Sequence, residues 1–378
     1  MTEKTTKKQQ KPNVPNLRFP GFEGKWTETA VEDILKIGSG KDYKHLKTGP
    51  VPVFGTGGQM TSVNDYLHDG ETVCIGRKGT INKPFYYKGK LWTVDTLFYT
   101  HSFNNIYPKF LLYIFQRINW LQHNEASGVP SLSKSTIEQI IISIPSLDEQ
   151  SKIATLLSLI DDRITTQNKI IEELKSFNKS IVDKLFNYKY SKSPGAPWSH
   201  LTYGDIFDVC TKKNVDMAVE NVLSASQVHG MIERKEIDID IKYDLSSIKN
   251  YKLIEPGDYI VHLRSFQGGL AFSTKYGICS PAYTILRPKS SILYGFLENF
   301  FVSDSFIKSL KLVTYGIRDG RSINIEEFLK LPVDVPSIEK QTEILKITSI
   351  LKEKLVYNTR LLHLYDVQKN WLLKALMV

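Results

Sequence analysis

The chain is 378 residues long, 41% apolar and 24% charged, which is too long for one ordinary domain and suits two or three. Its 49 Lys and Arg against 40 Asp and Glu give a net charge of +9, which admits an acidic partner without establishing one. Three cysteines, Cys74, Cys210 and Cys279, lie far apart; they exclude a disulfide scaffold and a Cys-x-x-Cys zinc knuckle, and they suit a reducing cytoplasm. The opening run from Met1 to Lys11 is polar and basic, so residues 1–15 read as a disordered basic tail rather than a signal peptide. The longest apolar runs, Phe110 to Phe115 and Ile140 to Ile144, fall far short of the ~20 residues a membrane helix needs, so a soluble cytoplasmic protein is expected.

From Trp26 onward the pattern is mixed. Short β-rich runs such as Thr72–Ile75 and Lys90–Val94 are separated by Gly, Asn and Asp turns, and a helical stretch follows over Pro108–Leu121. Ser146 then offers an N-cap with Glu149 three residues on, a capping box directly after Pro145. Behind it Gln150, Ile153, Leu157, Ile160, Ile164, Gln167, Ile171, Leu174, Asn178, Ile181 and Leu185 alternate spacings of three and four, which predicts a long helix over 146–187. A second mixed stretch holds the β-rich run Asp258–His262 and the helical run Leu293–Leu310. Ser337 and Glu339 then open a second seam, Gln341, Ile344, Thr348, Leu351, Leu355, Asn358, Leu362, Tyr365, Lys369, Leu372 and Leu376, which predicts a long helix over 337–378.

The chain repeats itself. Ile144-Pro-Ser-Leu-Asp-Glu-Gln150 returns as Val335-Pro-Ser-Ile-Glu-Lys-Gln341, 191 residues later. Gly70-Glu-Thr-Val73 matches Gly257-Asp-Tyr-Ile260 at 187, a register that sets Arg77 on Arg264 and Lys88 on Lys275; Trp26, Asp33 and Ile34 match Trp198, Asp205 and Ile206 at 172. The spacing grows in order along the chain, as it does when a duplicated scaffold gains residues in its loops. The expected architecture is therefore mixed α/β: two similar globules, residues 16–145 and 188–336, separated by two long helices that form an antiparallel coiled coil, with Gln167 meeting Asn358 near its centre.

Catalytic signatures fail one by one. Gly38-Ser-Gly40-Lys41 lacks the first glycine of a phosphate loop, and Gly55-Thr-Gly-Gly58 lacks the spacing of a dinucleotide loop. Asn82-Lys-Pro-Phe85 misses an Asn-Pro-Pro-Phe motif at Lys83, and the eight histidines hold no His-x-x-x-His pair. No catalytic residue and no metal site is expected.

With Pro15-Asn-Leu-Arg-Phe-Pro-Gly-Phe22 and Trp26 at the start, the two Pro-Ser…Gln helix openings, and the twofold order of globule then helix, the chain resembles the specificity subunit of type I restriction-modification enzymes. The resemblance covers nearly the whole length, with a looser echo at Ser193-Pro-Gly-Ala-Pro-Trp198. It implies two target recognition domains, each reading one half of a split sequence in double-stranded DNA. It also implies a helix pair that sets their distance and docks two methyltransferase subunits. Those partners would bind S-adenosylmethionine, so this chain needs no cofactor of its own, and motor-nuclease subunits would join for cleavage. Other readings are a self-sufficient DNA-modifying enzyme, or a coiled-coil scaffold with no DNA role.

Given DNA as partner, the candidates are basic and amide side chains in loops. In the first copy these are Arg77 and Lys78, Lys88, Thr56 and Gln59 beside the Gly55–Gly58 turn, and the cluster Lys41, Lys44 and Lys47. In the second they are Arg264 and Ser265, Gln267, Lys275, Arg318 and Arg321, and Lys212 with Lys213. Each also reads as part of a solvated turn or face. Local charge favours these regions: residues 36–90 carry nine basic and four acidic side chains, and 242–289 carry seven and three.

Overall fold

A computed structural model describes residues 13–186, 198–226, 229–236, 245–316 and 321–378. The first twelve residues of the basic tail, the entry segment 193–197 and Arg318 lie outside the described residues. The chain divides into two compact units, Met1–Asn168 with Arg360–Val378, and Lys169–Thr359.

In the first unit the order is β1 (Thr27–Ala30), α1 (Val31–Ile34), β2 (Lys36–Ser39), β3 (Thr48–Gly55), β4 (Gly58–Val63), β5 (His68–Gly76), β6 (Phe85–Thr93), β7 (Leu97–His101), α2 (Pro108–Arg117), α3 (Lys134–Glu138), β8 (Ile141–Ile144) and the first part of α4 (Leu147–Leu185). A six-stranded sheet runs β2-β7-β5-β6-β3-β4, and β1 pairs with β8 so that the chain enters and leaves the globule on adjacent strands. Helix α2 starts on Pro108, whose missing N–H costs nothing at that position, and buries Phe110, Leu111, Tyr113 and Phe115 in the core with Val73, Ile75 and Phe98 of the sheet.

The second unit continues with β9 (Ser199–Thr202), α5 (Tyr203–Ile206), β10 (Phe207–Cys210), β11 (Leu223–Ser226), β12 (Gly230–Glu233), β13 (Lys252–Ile254), β14 (Tyr259–Val261), α6 (Ser265–Gly268), β15 (Ala271–Phe272), β16 (Gly277–Cys279) and β17 (Thr284–Pro288). Then come α7 (Asp304–Leu310), β18 (Thr314–Tyr315), β19 (Ser322–Ile323), α8 (Ile325–Lys330), β20 (Pro332–Val335) and α9 (Ile338–Leu376), whose last turns belong to the first unit. Its main sheet runs β10-β17-β14-β15, the same order as β2-β7-β5-β6, and β9 pairs with β20 as β1 does with β8. The registers coincide: Thr27 faces Ile144, and Ser199 faces Val335, which are the same positions at spacings of 172 and 191. The core centres on Tyr259, Phe301, Phe306 and Phe328, all at most 1% exposed.

The register corrects one expected match. Val73 pairs with Tyr86 on β6, whereas its counterpart Ile260 pairs with Ala271 on β15, so the connecting loop is two residues shorter in the second copy. Lys88 therefore corresponds to Ser273, and Lys275 to Lys90; the pairing of Lys88 with Lys275 does not hold.

The two long helices pack antiparallel within each unit. In the first, Leu372 and Leu376 share the core with Ile153, Leu157 and Ile160, and Lys369 Nζ lies 2.7 Å from Asp161 Oδ1. In the second, Asn178 Nδ2 donates to Leu351 O at 3.4 Å, and Leu185 packs in the same cluster as Ile344. Seam positions are buried or half-buried along both helices: Gln167, Ile171 and Leu174 on α4, and Leu351, Leu355, Asn358, Leu362 and Tyr365 on α9, while the flanking residues other than Leu361 are exposed. The seam starts one turn later than its spacing suggests, because Gln150 and Gln341 are bound to the globules instead. The capping box is also only half formed. Ser146 Oγ accepts from Glu149 N at 3.5 Å, but the Glu149 carboxylate is taken by Arg18 Nε and Nη2, each at 2.8 Å.

The first unit is assembled from both ends of the sequence. Leu17 N donates to Ala375 O at 2.8 Å, Arg117 Nη1 reaches Leu373 O and Met377 O, and Leu372, Leu373, Leu376 and Met377 complete the core around Ile153 and Leu157.

Candidate nucleic-acid interface

Strand β5 ends at Gly76, and the backbone beyond it is held on both sides. Arg77 N and Lys78 N both donate to Thr96 O, at 2.8 and 3.2 Å; Gly79 N donates to Pro130 O at 2.8 Å; and Leu132 N donates to Arg77 O at 2.9 Å. The fixed backbone presents the exposed side chains of Arg77 and Lys78 outward. The Arg77 guanidinium lies 5.8 Å from the Phe98 ring centroid and donates to Asp95 O at 3.4 Å, which orients it while leaving most of its five donors available. Gly79 adopts a φ of +96°, and Thr56 Oγ1 lies 3.4 Å from where a Cβ on that glycine would sit. The β3–β4 turn carrying Thr56 thus adjoins the Arg77 loop, and Gln59 stands just past that turn with Nε2 on Ser62 Oγ.

Lys41 joins the same end of the sheet. Its N–H donates to Thr93 O and its carbonyl accepts from Trp92 Nε1, both at 2.9 Å, so it is anchored on the end of β6, beside the β6–β7 connection that holds Arg77. Lys44 N is turned onto Asp42 Oδ1, and Lys47 N onto Asn64 Oδ1. Lys47, bound to Asn64, sits at the open end of the β3–β4 hairpin, about 20 Å from its turn at ~3.3 Å per residue over the six residues of β4. Lys88 faces Glu71 across the β5–β6 pair, six residues short of Arg77, also about 20 Å away. Of the first-copy candidates, the structure gathers Thr56, Gln59, Lys41, Arg77 and Lys78, and sets Lys47 and Lys88 apart.

In the second unit β10 and β14 both run antiparallel to β17, as β2 and β5 do to β7, so their C-terminal ends leave the sheet on the same side. Lys212 and Lys213 follow β10 and are exposed; Arg264 follows β14 and is exposed, at the start of α6. Gln267 is exposed on α6, and Arg321 is exposed immediately before β19, which touches α6.

Two expectations fail here. Ser265 is 0% exposed and its Oγ accepts from His262 N at 2.8 Å, so it braces the turn and cannot meet DNA. Lys275 is bound by Glu236 at 3.1 Å and Glu233 at 3.3 Å, which hold its ammonium above the usual lysine range; its charge is already matched within the globule.

Sequence reasoning missed His262, which sets Arg264 in place. Its Nδ1 accepts from Arg264 N at 3.3 Å, and burial pushes its imidazole below the usual histidine range while a hydrogen bond to the Gly269 backbone opposes that shift. One lone histidine in a β-run carries no pattern that could have marked this role. Among the described residues no three His, Cys, Asp or Glu side chains gather as a metal site, and no helix is long and apolar enough to cross a membrane.

Comparison with known proteins fits this geometry. Residues 23–176 match the family described as the type I restriction modification DNA specificity domain. The chain is 30% identical over 117 residues to the type I restriction enzyme MjaVIII specificity subunit of Methanocaldococcus jannaschii, and 33% identical over 121 residues to the putative MjaX specificity subunit of the same organism. Each match takes in 30% of this chain and only 25% and 28% of those relatives, so the similarity spans about a quarter of their length. In fold, the chain resembles the type I restriction-modification S subunit from M. genitalium, with a TM-score of 0.62 at 16% identity over 97% of this chain and 99% of that one. Residues 23–176 thus match the type I restriction modification DNA specificity domain, and the chain as a whole has a fold like that of the M. genitalium S subunit.

Proposed function

We propose that this chain reads a bipartite sequence in double-stranded DNA, one half with each globule, and that it has no active site of its own. The observation that carries the reading is the repeated placement of Arg77 and Arg264. Each stands exposed just past the C-terminal end of equivalent strands β5 and β14, on the sheet end where Lys41 and Lys212 also emerge. Two like modules with different loops can present different side chains to two different half-sites. An arginine held at its backbone, with most of its donors available, can contact a guanine or a phosphate in two places.

The helix pair sets the spacing of the halves and docks two methyltransferase subunits that bind S-adenosylmethionine and modify adenine. Motor-nuclease subunits join for cleavage. In support of docking, α9 leaves Ile350, Tyr357, Leu364 and Trp371 more than half exposed at intervals of one heptad, a stripe apart from its seam.

Mapping methylated bases genome-wide, in cells carrying a neighbouring methyltransferase with and without this chain, tests the reading. A split motif with a fixed spacer, present only with the chain, is expected. Methylation independent of the chain, or a purified chain that binds S-adenosylmethionine by itself, contradicts it.

A further inference from the structure

We propose that Gln150 and Gln341 are positioning residues that fix the angle at which each globule leaves its long helix, and thereby the spacing of the two half-sites. The inference rests on the two-part reading above and adds the element that holds each reader in place.

Both side chains are 0% exposed. Gln150 Oε1 accepts from Tyr107 N at 2.8 Å, and its Nε2 donates to Asn105 O at 3.1 Å and Pro145 O at 2.9 Å. In the second copy Gln341 Oε1 accepts from Leu293 N at 2.8 Å, and Nε2 donates to Ser291 O at 2.8 Å and Pro336 O at 3.1 Å. Each amide uses both donors and one acceptor site on three backbone groups in two segments, an arrangement no other neutral side chain of that length provides.

This is not a helix cap. The backbone N–H of each glutamine already donates inside its own helix start, to Ser146 O and Ser337 O, and the cap oxygens are Ser146 Oγ and Ser337 Oγ. The amide instead reaches out of the helix to a globule loop: Asn105–Tyr107, which leads directly into α2, and Ser291–Leu293. Between the copies the glutamines are 191 residues apart, while the loop partners are 186 apart. The helix and loop have shifted by five residues relative to one another, and the same three bonds persist. The neighbouring clamp has not been kept: Glu149 binds Arg18, but its counterpart Lys340 pairs with Glu343 at 2.6 Å on its own helix. The glutamine tie is the joint that both copies share.

The test uses the full chain with spin labels at two exposed sites of the first unit, Lys90 on the sheet and Thr165 on α4, in a Cys210→Ser background. A narrow distance distribution is expected for the parent, roughly doubled in width by Gln150→Met, since an unsupported site loosens on the scale of about 1 Å. Gln150→Glu keeps the acceptor for Tyr107 N and should fall between them; it also carries the test should Gln150→Met fail to fold. Gln341→Met should leave this distance unchanged. Ile153→Ala, which removes buried apolar bulk from the same helix, should lower the melting temperature without widening the distribution.

In cells with the neighbouring methyltransferase, Gln150→Met and Gln341→Met should each keep both half-motifs and relax the spacer to neighbouring lengths. An unchanged width in a folded Gln150 variant overturns the tie, as does equal widening by Ile153→Ala. A single spacer length despite a widened distance overturns its role in spacing. If the parent chain directs no split-motif methylation, the DNA reading itself fails, and the distances alone then decide the tie.

Discussion

Replacing Gly269 by alanine should unhinge the second candidate reading loop. The glycine ends α6 with a φ of +79°, and a Cβ there would lie 1.8 Å from Phe301 O and 2.9 Å from its carbonyl carbon. With ψ at −165° the backbone lies in a region essentially confined to glycine, and holding alanine there costs about 1–3 kcal/mol. Pushing a backbone carbonyl aside in a packed core costs about 1–3 kcal/mol more. The Leu270 N bond to Phe301 O, 3.2 Å long, is lost in the process, at about 1 kcal/mol. The lower ends sum to about 3 kcal/mol, which corresponds to roughly a 150-fold faster exchange of amides that open only with their whole unit. Native-state hydrogen exchange resolves this within one sample. Strand amides of β14 and β17 should accelerate by that factor, while those of β5 and β7 in the other unit keep their rates. Gly57→Ala, with nothing within 4 Å of its Cβ, should change stability by less than about 0.5 kcal/mol. If β14 and β17 exchanged less than about fivefold faster in Gly269→Ala, the close approach to Phe301 would not be a constraint in solution.

Three further outcomes are expected. Arg18→Ala should destabilise the first unit by about 3 kcal/mol, because Glu149, at 1% exposed, is left as an uncompensated buried carboxylate; adding Glu149→Gln should restore part of the loss, and strictly additive costs in a double-mutant cycle would refute the coupling. His262 is held below the usual histidine range by burial, so the unfolded chain takes up its proton first. Stability of the second unit should therefore be constant above about pH 6.5 and fall as the pH drops below it, and His262→Gln should flatten that slope in unfolding curves taken between about pH 5 and 7.5. Arg77→Ala and Arg264→Ala should each weaken DNA binding of the assembled complex by about 1–3 kcal/mol if they read a base, or lower the salt slope by about 1 if they hold a phosphate; unchanged methylation at both half-sites would remove them from the interface.

The duplication was legible because it leaves two records of one scaffold. The 172- and 191-residue spacings equate Thr27 with Ser199 and Ile144 with Val335, and these residues pair alike in both copies. The seam was legible because a helix that buries one face must repeat at three and four. Gln150 and Gln341 were misplaced by that same rule: a buried tie on the first turn has the spacing of a seam residue, and only the globule loops distinguish the two. Lys88 and Lys275 were equated because sequence identity cannot see a loop that shortens by two residues between paired strands. Ser265 and Lys275 looked available because a serine or lysine in a turn gives no sign of being buried or already paired. The ties that hold Arg77, and Lys41 through its amide, run between backbone carbonyls and amides, which every residue carries, so the sequence holds no trace of them.

The two-ended construction of the first unit bears on the order in which the protein can be made. A ribosome delivers Lys169–Thr359 as one uninterrupted stretch, so the second unit can close while synthesis continues. The first unit cannot. Its sheet and α2 emerge early, yet the apolar surface around Ile153 and Leu157 stays open until Leu372, Leu373, Leu376 and Met377 arrive to cover it. For some 190 residues of elongation the nascent first globule is an unsealed core waiting for its lid, exposed to chaperones and to neighbouring chains on the same message. Emergence of the last turns of α9, rather than completion of either sheet, is the event that finishes it.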